Sequence, residues 1–101
     1  MFNKMKQLYD MQKQAKDMQK SVEKLRVEKS AEGGKVTVVM NGAFKVESLS
    51  IDPSLLEPSK KAFLEKTLVL LISDAAEEAG KLSAQEAMAM MKNMNFKLPG
   101  M

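Results

Sequence analysis

Cysteine, histidine and tryptophan are absent from this 101-residue chain. Without Cys, neither a disulfide framework nor a thiolate metal site can form. Without His and Cys, the commonest general base and the strongest side-chain nucleophile are gone, so catalysis would have to run on carboxylates or a metal. Aromatic residues make up 5% of the chain and are scattered as Phe2, Tyr9, Phe44, Phe63 and Phe96, with no RNP-like cluster on which bases would stack. A Gly-rich phosphate loop is missing too, since Gly33-Gly34 is too short and leads into a strand rather than a helix. The longest strongly apolar run, Leu68 to Ile72, is far below the roughly 20 residues that cross a bilayer. Met1 to Lys6 lacks the hydrophobic stretch of a secretory signal. These absences lead us to expect a cytoplasmic, non-catalytic protein with no cofactor, no metal, no small-molecule substrate and no membrane span.

What the chain does have is charge, unevenly placed. The net charge is +3 at pH 7, too small by itself to announce a nucleic-acid binder. Residues 1–30, however, hold eight basic residues against four acidic ones, a local excess of +4, whereas 31–60 carry −1 and 61–101 are balanced. The positive excess therefore sits at the N-terminus. A chain this short forms one compact domain and buries a modest fraction of its surface, so a long amphipathic helix in it often needs a second subunit to cover its apolar stripe. Oligomerisation is expected on that ground alone, and two long amphipathic helices with a small sheet present enough apolar surface to expect a homodimer.

Residues 1–26 contain no Gly or Pro and write a heptad with Met1, Leu8, Ala15 and Val22 at a and Met11, Met18 and Leu25 at d. That spacing predicts an amphipathic helix with a narrow seam, suited to a coiled-coil-like contact or to packing on a small sheet. Lys6, Lys13 and Lys20 fall opposite the seam, flanked by Lys16 and Lys24. Short β-type runs occupy 27–51: Val27 to Ser30, Val36 to Met40 and Phe44 to Ile51. Gly33-Gly34 can supply the positive φ of one turn, and Asn41-Gly42 is a strong signal for a two-residue type I′ hairpin. In the third run the apolar positions shift from Phe44 and Val46 to Leu49 and Ile51, which predicts an extra residue, a β-bulge, near Glu47-Ser48. Pro53 ends the sheet. A second helix is expected over 59–94, with Ser59 able to cap it and Leu64, Leu68, Leu71, Ile72, Ala75, Ala79 and Leu82 on its apolar side. Gly80 is its weak point, and Ser83-Ala84-Gln85-Glu86 offers a capping box at which it could restart. Residues 95–101 read as an irregular, mobile tail. The fold class is α+β: a small three-stranded antiparallel sheet flanked by two long helices.

Two side-chain clusters invite a metal. Asp74, Glu77 and Glu78 place carboxylates at i, i+3 and i+4, a set that can hold a divalent cation, but solvated helix faces carry the same pattern. Met88, Met91 and Met94, with Met90 beside them, offer thioethers to a soft ion such as Cu(I). Met1, Met5, Met11 and Met18 show the same residue filling ordinary apolar positions elsewhere in the chain. The lysines of the first helix likewise have two readings, a solubilising surface or a nucleic-acid contact made mainly through phosphates.

Taken in order, Gly33-Gly34, Val36-x-Val38, Asn41-Gly42 and Ile51-Asp52-Pro53-Ser54-Leu55-Leu56, between a Met-, Gln- and Lys-rich first helix and a closing Leu98-Pro99-Gly100, resemble the signature of the bacterial YbaB/EbfC nucleoid-associated family. The resemblance spans essentially the whole chain. It implies an α-β-β-β-α subunit that dimerises through its sheet region, with helices projecting as arms. It also implies binding of double-stranded DNA in the nucleoid, with effects on nucleoid organisation and gene expression. No catalytic residue comes with it, and Asn41, Gly42, Asp52 and Pro53 look structural. The expected DNA-contacting residues are Lys6, Lys13, Lys16, Lys20 and Lys24. The competing expectation is a coiled-coil-like adaptor that grips a protein partner without binding DNA.

Overall fold

The computed structural model describes residues 2–93. Helix α1 (Phe2–Glu23) leads into strand β1 (Arg26–Ala31), a short 3-10 turn (Glu32–Gly34), strand β2 (Val36–Asn41) and strand β3 (Val46–Ile51). Two further 3-10 turns (Pro53–Leu55 and Pro58–Lys60) precede helix α2 (Lys61–Asn93). The three strands are antiparallel in the order β1-β2-β3.

α1 stops before Leu25 because the ladder claims the next residues: Arg26 pairs with Asn41 and Val27 with Met40. Buried in the core, Val27 gains more from that pairing than from another turn of helix. The last turn tightens as the Lys24 amide donates to the carbonyls of Lys20 (3.2 Å) and Ser21 (3.3 Å) and the Leu25 amide to that of Val22 (3.1 Å).

The β1–β2 turn uses left-handed backbone at Glu32 (φ 53°), Gly33 (φ 66°) and Gly34 (φ 91°), and two of the three are residues that bear it without strain. The β2–β3 connection departs from the expected type I′ turn. Gly42 lies outside the left-handed region and Phe44 (φ 65°) occupies it instead. The Phe44 amide donates to the Asn41 carbonyl (3.2 Å) and the Asn41 amide to the Lys45 carbonyl (2.9 Å), a longer loop built around one turn and one left-handed residue. Asn41 stabilises it with its side chain, Oδ1 accepting from the amides of Ala43 (2.8 Å) and Lys45 (3.1 Å).

Position 42 needs glycine for a different reason. Its amide donates to the Val22 carbonyl at 3.1 Å, and a Cβ there would stand 2.5 Å from that oxygen. The end of α1 therefore docks directly on the turn. On β3, Val39 faces Ser48 while Met40 faces Val46, which leaves Glu47 as the extra residue and places the bulge where the apolar shift predicts it.

After β3, the Asp52 carboxylate accepts from the Ser54 amide (2.9 Å) and caps the Pro53 turn. Ser54, through its side chain and its amide, holds that carboxyl below its ordinary value, with the Lys35 charge adding to the effect. The cap is at full strength at neutral pH and weakens as pH falls through the lowered value.

α2 packs across β1 and β2. One cluster joins Val36, Val38, Leu55 and Leu71; the other joins Val27, Met40, Ala75 and Ala79. Ala75 and Ala79 are fully covered, which brings the helix axis close to the sheet. α2 runs through Gly80 without a break. The continuous helix is thus the one formed, and the alternative restart at Ser83 is not used: the Ser83 hydroxyl donates to the Gly42 carbonyl instead of capping a new helix.

Candidate nucleic-acid interface

Gly42 is the point where the two helices meet: its amide holds the Val22 turn of α1 and its carbonyl holds Ser83 of α2. Since Leu71 packs near Val36 and Ala79 near Met40, α2 advances towards the Asn41 end of the sheet and continues past it. α1 lies beyond the same end. The molecule is consequently extended, 67 × 23 × 17 Å with a Cα radius of gyration of 19.6 Å, against about 13 Å for a compact domain of 100 residues. From Gly42 outward, α1 projects roughly 30 Å at 1.5 Å per residue.

Only the base of α1 is covered. Gln14, Met18, Ser21, Val22 and Glu23 are half-buried, as are Leu82, Ser83, Glu86, Ala87 and Met90 on α2, and every position from Lys4 to Lys13 is exposed. Leu8 and Met11 remain 60% and 64% exposed. The seam expected along the whole helix is thus engaged within this subunit only over its last turns.

Lys6, Lys13, Lys16 and Lys20 are all exposed, and helical periodicity of 100° per residue sets them within about 80° of arc, away from the half-buried line. Lys24 is exposed as well but lies past the end of α1, in the turn before β1. The ion pairs among the described residues are Arg26–Glu47, Lys29–Glu78, Lys61–Glu65 and Lys81–Glu77; none draws on these five lysines, although Asp10 and Asp17 lie on the same helix. Tyr9, one of the scattered aromatics of the sequence, stands on the lysine face and is 67% exposed. Its spacing of four to Lys13 was the signal available for it.

Two of the three clustered carboxylates of α2 are used as charge partners: Glu78 pairs with Lys29 at 3.1 Å and Glu77 with Lys81 at 3.8 Å. Among the described residues no group of three or more acidic side chains is arranged to hold a metal ion. Met88 and Met91 are exposed and Met90 is half-buried; Met94 and the tail over 95–101 lie outside the described residues. Among the described residues no helix is long and apolar enough to cross a membrane.

A second surface is apolar. Ile51, Leu49 and Val46 of β3 face the same way as their partners Val36, Val38 and Met40, but α2 reaches over β1 and β2 and leaves β3 open. Leu49 and Val46 are about half exposed, and Phe44, Val69 and Ile72 are exposed alongside.

The model of the YbaB/EbfC DNA-binding family matches residues 1–94. A nucleoid-associated protein of Afipia carboxidovorans is 34% identical over 97 residues, which cover 96% of this chain and 90% of that protein. One from Alkaliphilus metalliredigens is 32% identical over 101 residues, covering 100% of this chain and 87% of its own. The crystal structure of an uncharacterized protein from Helicobacter pylori matches with a TM-score of 0.63 at 25% identity, over 82% of this chain and 96% of that one.

Proposed function

The chain belongs to the YbaB/EbfC DNA-binding family, and we propose that it acts in the nucleoid as a homodimer that binds double-stranded DNA mainly through phosphates. In that role it shapes nucleoid organisation and gene expression and catalyses no reaction. The observation that carries this reading is the projecting helix α1, whose outward face presents Lys6, Lys13, Lys16 and Lys20 to solvent without an ion pair among the described residues. Lys6, Lys13 and Lys20 recur every seven residues, roughly 10 Å apart along the axis. An array of ammonium groups on a free helix reads a phosphate backbone by charge and is indifferent to base sequence. Lys24 extends the array at the base of the arm.

The uncovered face of β3 supports the dimer. Phe44, Val46, Leu49, Val69 and Ile72 are all exposed, exposed apolar side chains of this kind suit a protein–protein contact, and a second copy seated there doubles the lysine array. The test is a mobility shift of two unrelated duplexes across a salt series. Both should bind with similar affinity, and log affinity should fall linearly with log salt, by nearly one unit of slope per phosphate neutralised. No shift of either duplex at low salt would favour the adaptor reading, in which the arms grip a protein.

A further inference from the structure

We infer that Tyr9 is a DNA-contacting residue, its phenol hydroxyl donating a hydrogen bond to a phosphate oxygen at the centre of the α1 lysine face. The inference rests on the DNA-binding function proposed for the chain. Residues 9, 13, 16 and 20 succeed one another at four, three and four positions, the spacing of a single line along a helix, and all four side chains are exposed. On the helix surface the neighbours of position 9 are Met5, Lys6, Gln12 and Lys13, a set with two cations and no acid. Lys13, by contrast, has Asp10 and Asp17 among its neighbours, and Lys20 has Asp17 and Glu23. Two cations therefore flank the aromatic residue along its own line of the helix, and phosphates drawn to Lys6 and Lys13 arrive beside its hydroxyl. At 67% exposure the ring is not held in this subunit's core. Tyrosine is an established phosphate donor in protein–DNA contacts.

The chain provides its own probe, because Tyr9 is the one tyrosine and tryptophan is absent. Intrinsic tyrosine emission of the full chain should be quenched as duplex DNA is added, in step with the mobility shift and after correction for DNA absorption with N-acetyltyrosinamide. Tyr9→Phe should weaken binding by about tenfold or more, the scale of one hydrogen bond to a charged acceptor. The salt slope should stay unchanged, because no counterion is released by a neutral donor; Lys13→Gln should lower that slope. Circular dichroism of the Phe variant should match the wild type. A duplex that shifts normally while tyrosine emission stays constant, or a Phe variant with wild-type affinity, would overturn the inference and leave DNA binding standing. Absence of any shift would overturn both.

Discussion

The glycines of the two hairpin turns do different work. Gly33 and Gly34 are there for their backbone, at φ 66° and 91°, and any Cβ added at either would meet nothing within 4 Å. Gly42 is there for space, since a Cβ would collide with the Val22 carbonyl at 2.5 Å. Ala at 33 or 34 should therefore cost about 1–2 kcal/mol through the left-handed penalty. Gly42→Ala should cost about 1–3 kcal/mol as an overpacked site, and it should also loosen α1 from the turn. Hydrogen exchange at the Gly42 amide separates the two mechanisms: it should accelerate in a Gly33→Ala variant only as far as global stability falls, whereas a Leu25-region opening is expected with Gly42→Ala. The Asn-Gly pair announced a turn correctly, but its type was set by the α1 carbonyl arriving from 20 residues earlier in the chain, which no local pattern encodes. Core positions were easier to read. Val38 and Leu71 are buried as their periodicity implied, while Ile51 is only half-buried at the open side of the sheet. Leu71→Ala should cost about 2–5 kcal/mol and Ile51→Ala clearly less in the monomer unit, as measured by denaturant melts at matched concentration.

At the scale of elements, the periodicities that separated helix from strand were strong because each apolar set serves one neighbour: β2 faces α2, and α2 faces β1 and β2. Boundaries were weaker where two structures compete for the same residues, as at Arg26, which the heptad over 1–26 includes in α1 and the ladder takes for β1. Gly80 shows the opposite case, a residue whose low helix propensity suggests a break that packing overrides. Its neighbour is the Phe44 ring, 3.8 Å from where a Cβ would be, an ordinary contact. Gly80→Ala should accordingly stabilise α2 by about 1 kcal/mol and raise the melting temperature, with no loss of DNA affinity. A lowered melting temperature would mean that Phe44 needs the space.

At the scale of the whole molecule, a short chain has been drawn out into a small body with a projecting helix, and the body leaves β3 uncovered. Size and seam foretold that apolar surface would exceed what one subunit covers; which surface stays open depends on where α2 crosses the sheet, and that is a tertiary fact. Light scattering during gel filtration should give a mass about twice the subunit's 11.2 kDa at micromolar concentration, and Leu49→Asp with Val46→Asp should return it to one subunit. The lysines were legible by count and spacing, and their exposure comes from the α1 arm standing clear of the core. The most direct test of their role compares the salt dependence of duplex binding in the wild type and in a variant with Lys6, Lys13 and Lys20 replaced by Gln. Phosphate contact predicts weaker binding to unrelated duplexes alike and a flatter slope of log affinity against log salt, in a dimer of unchanged mass and melting; wild-type affinity and slope in that variant would contradict it.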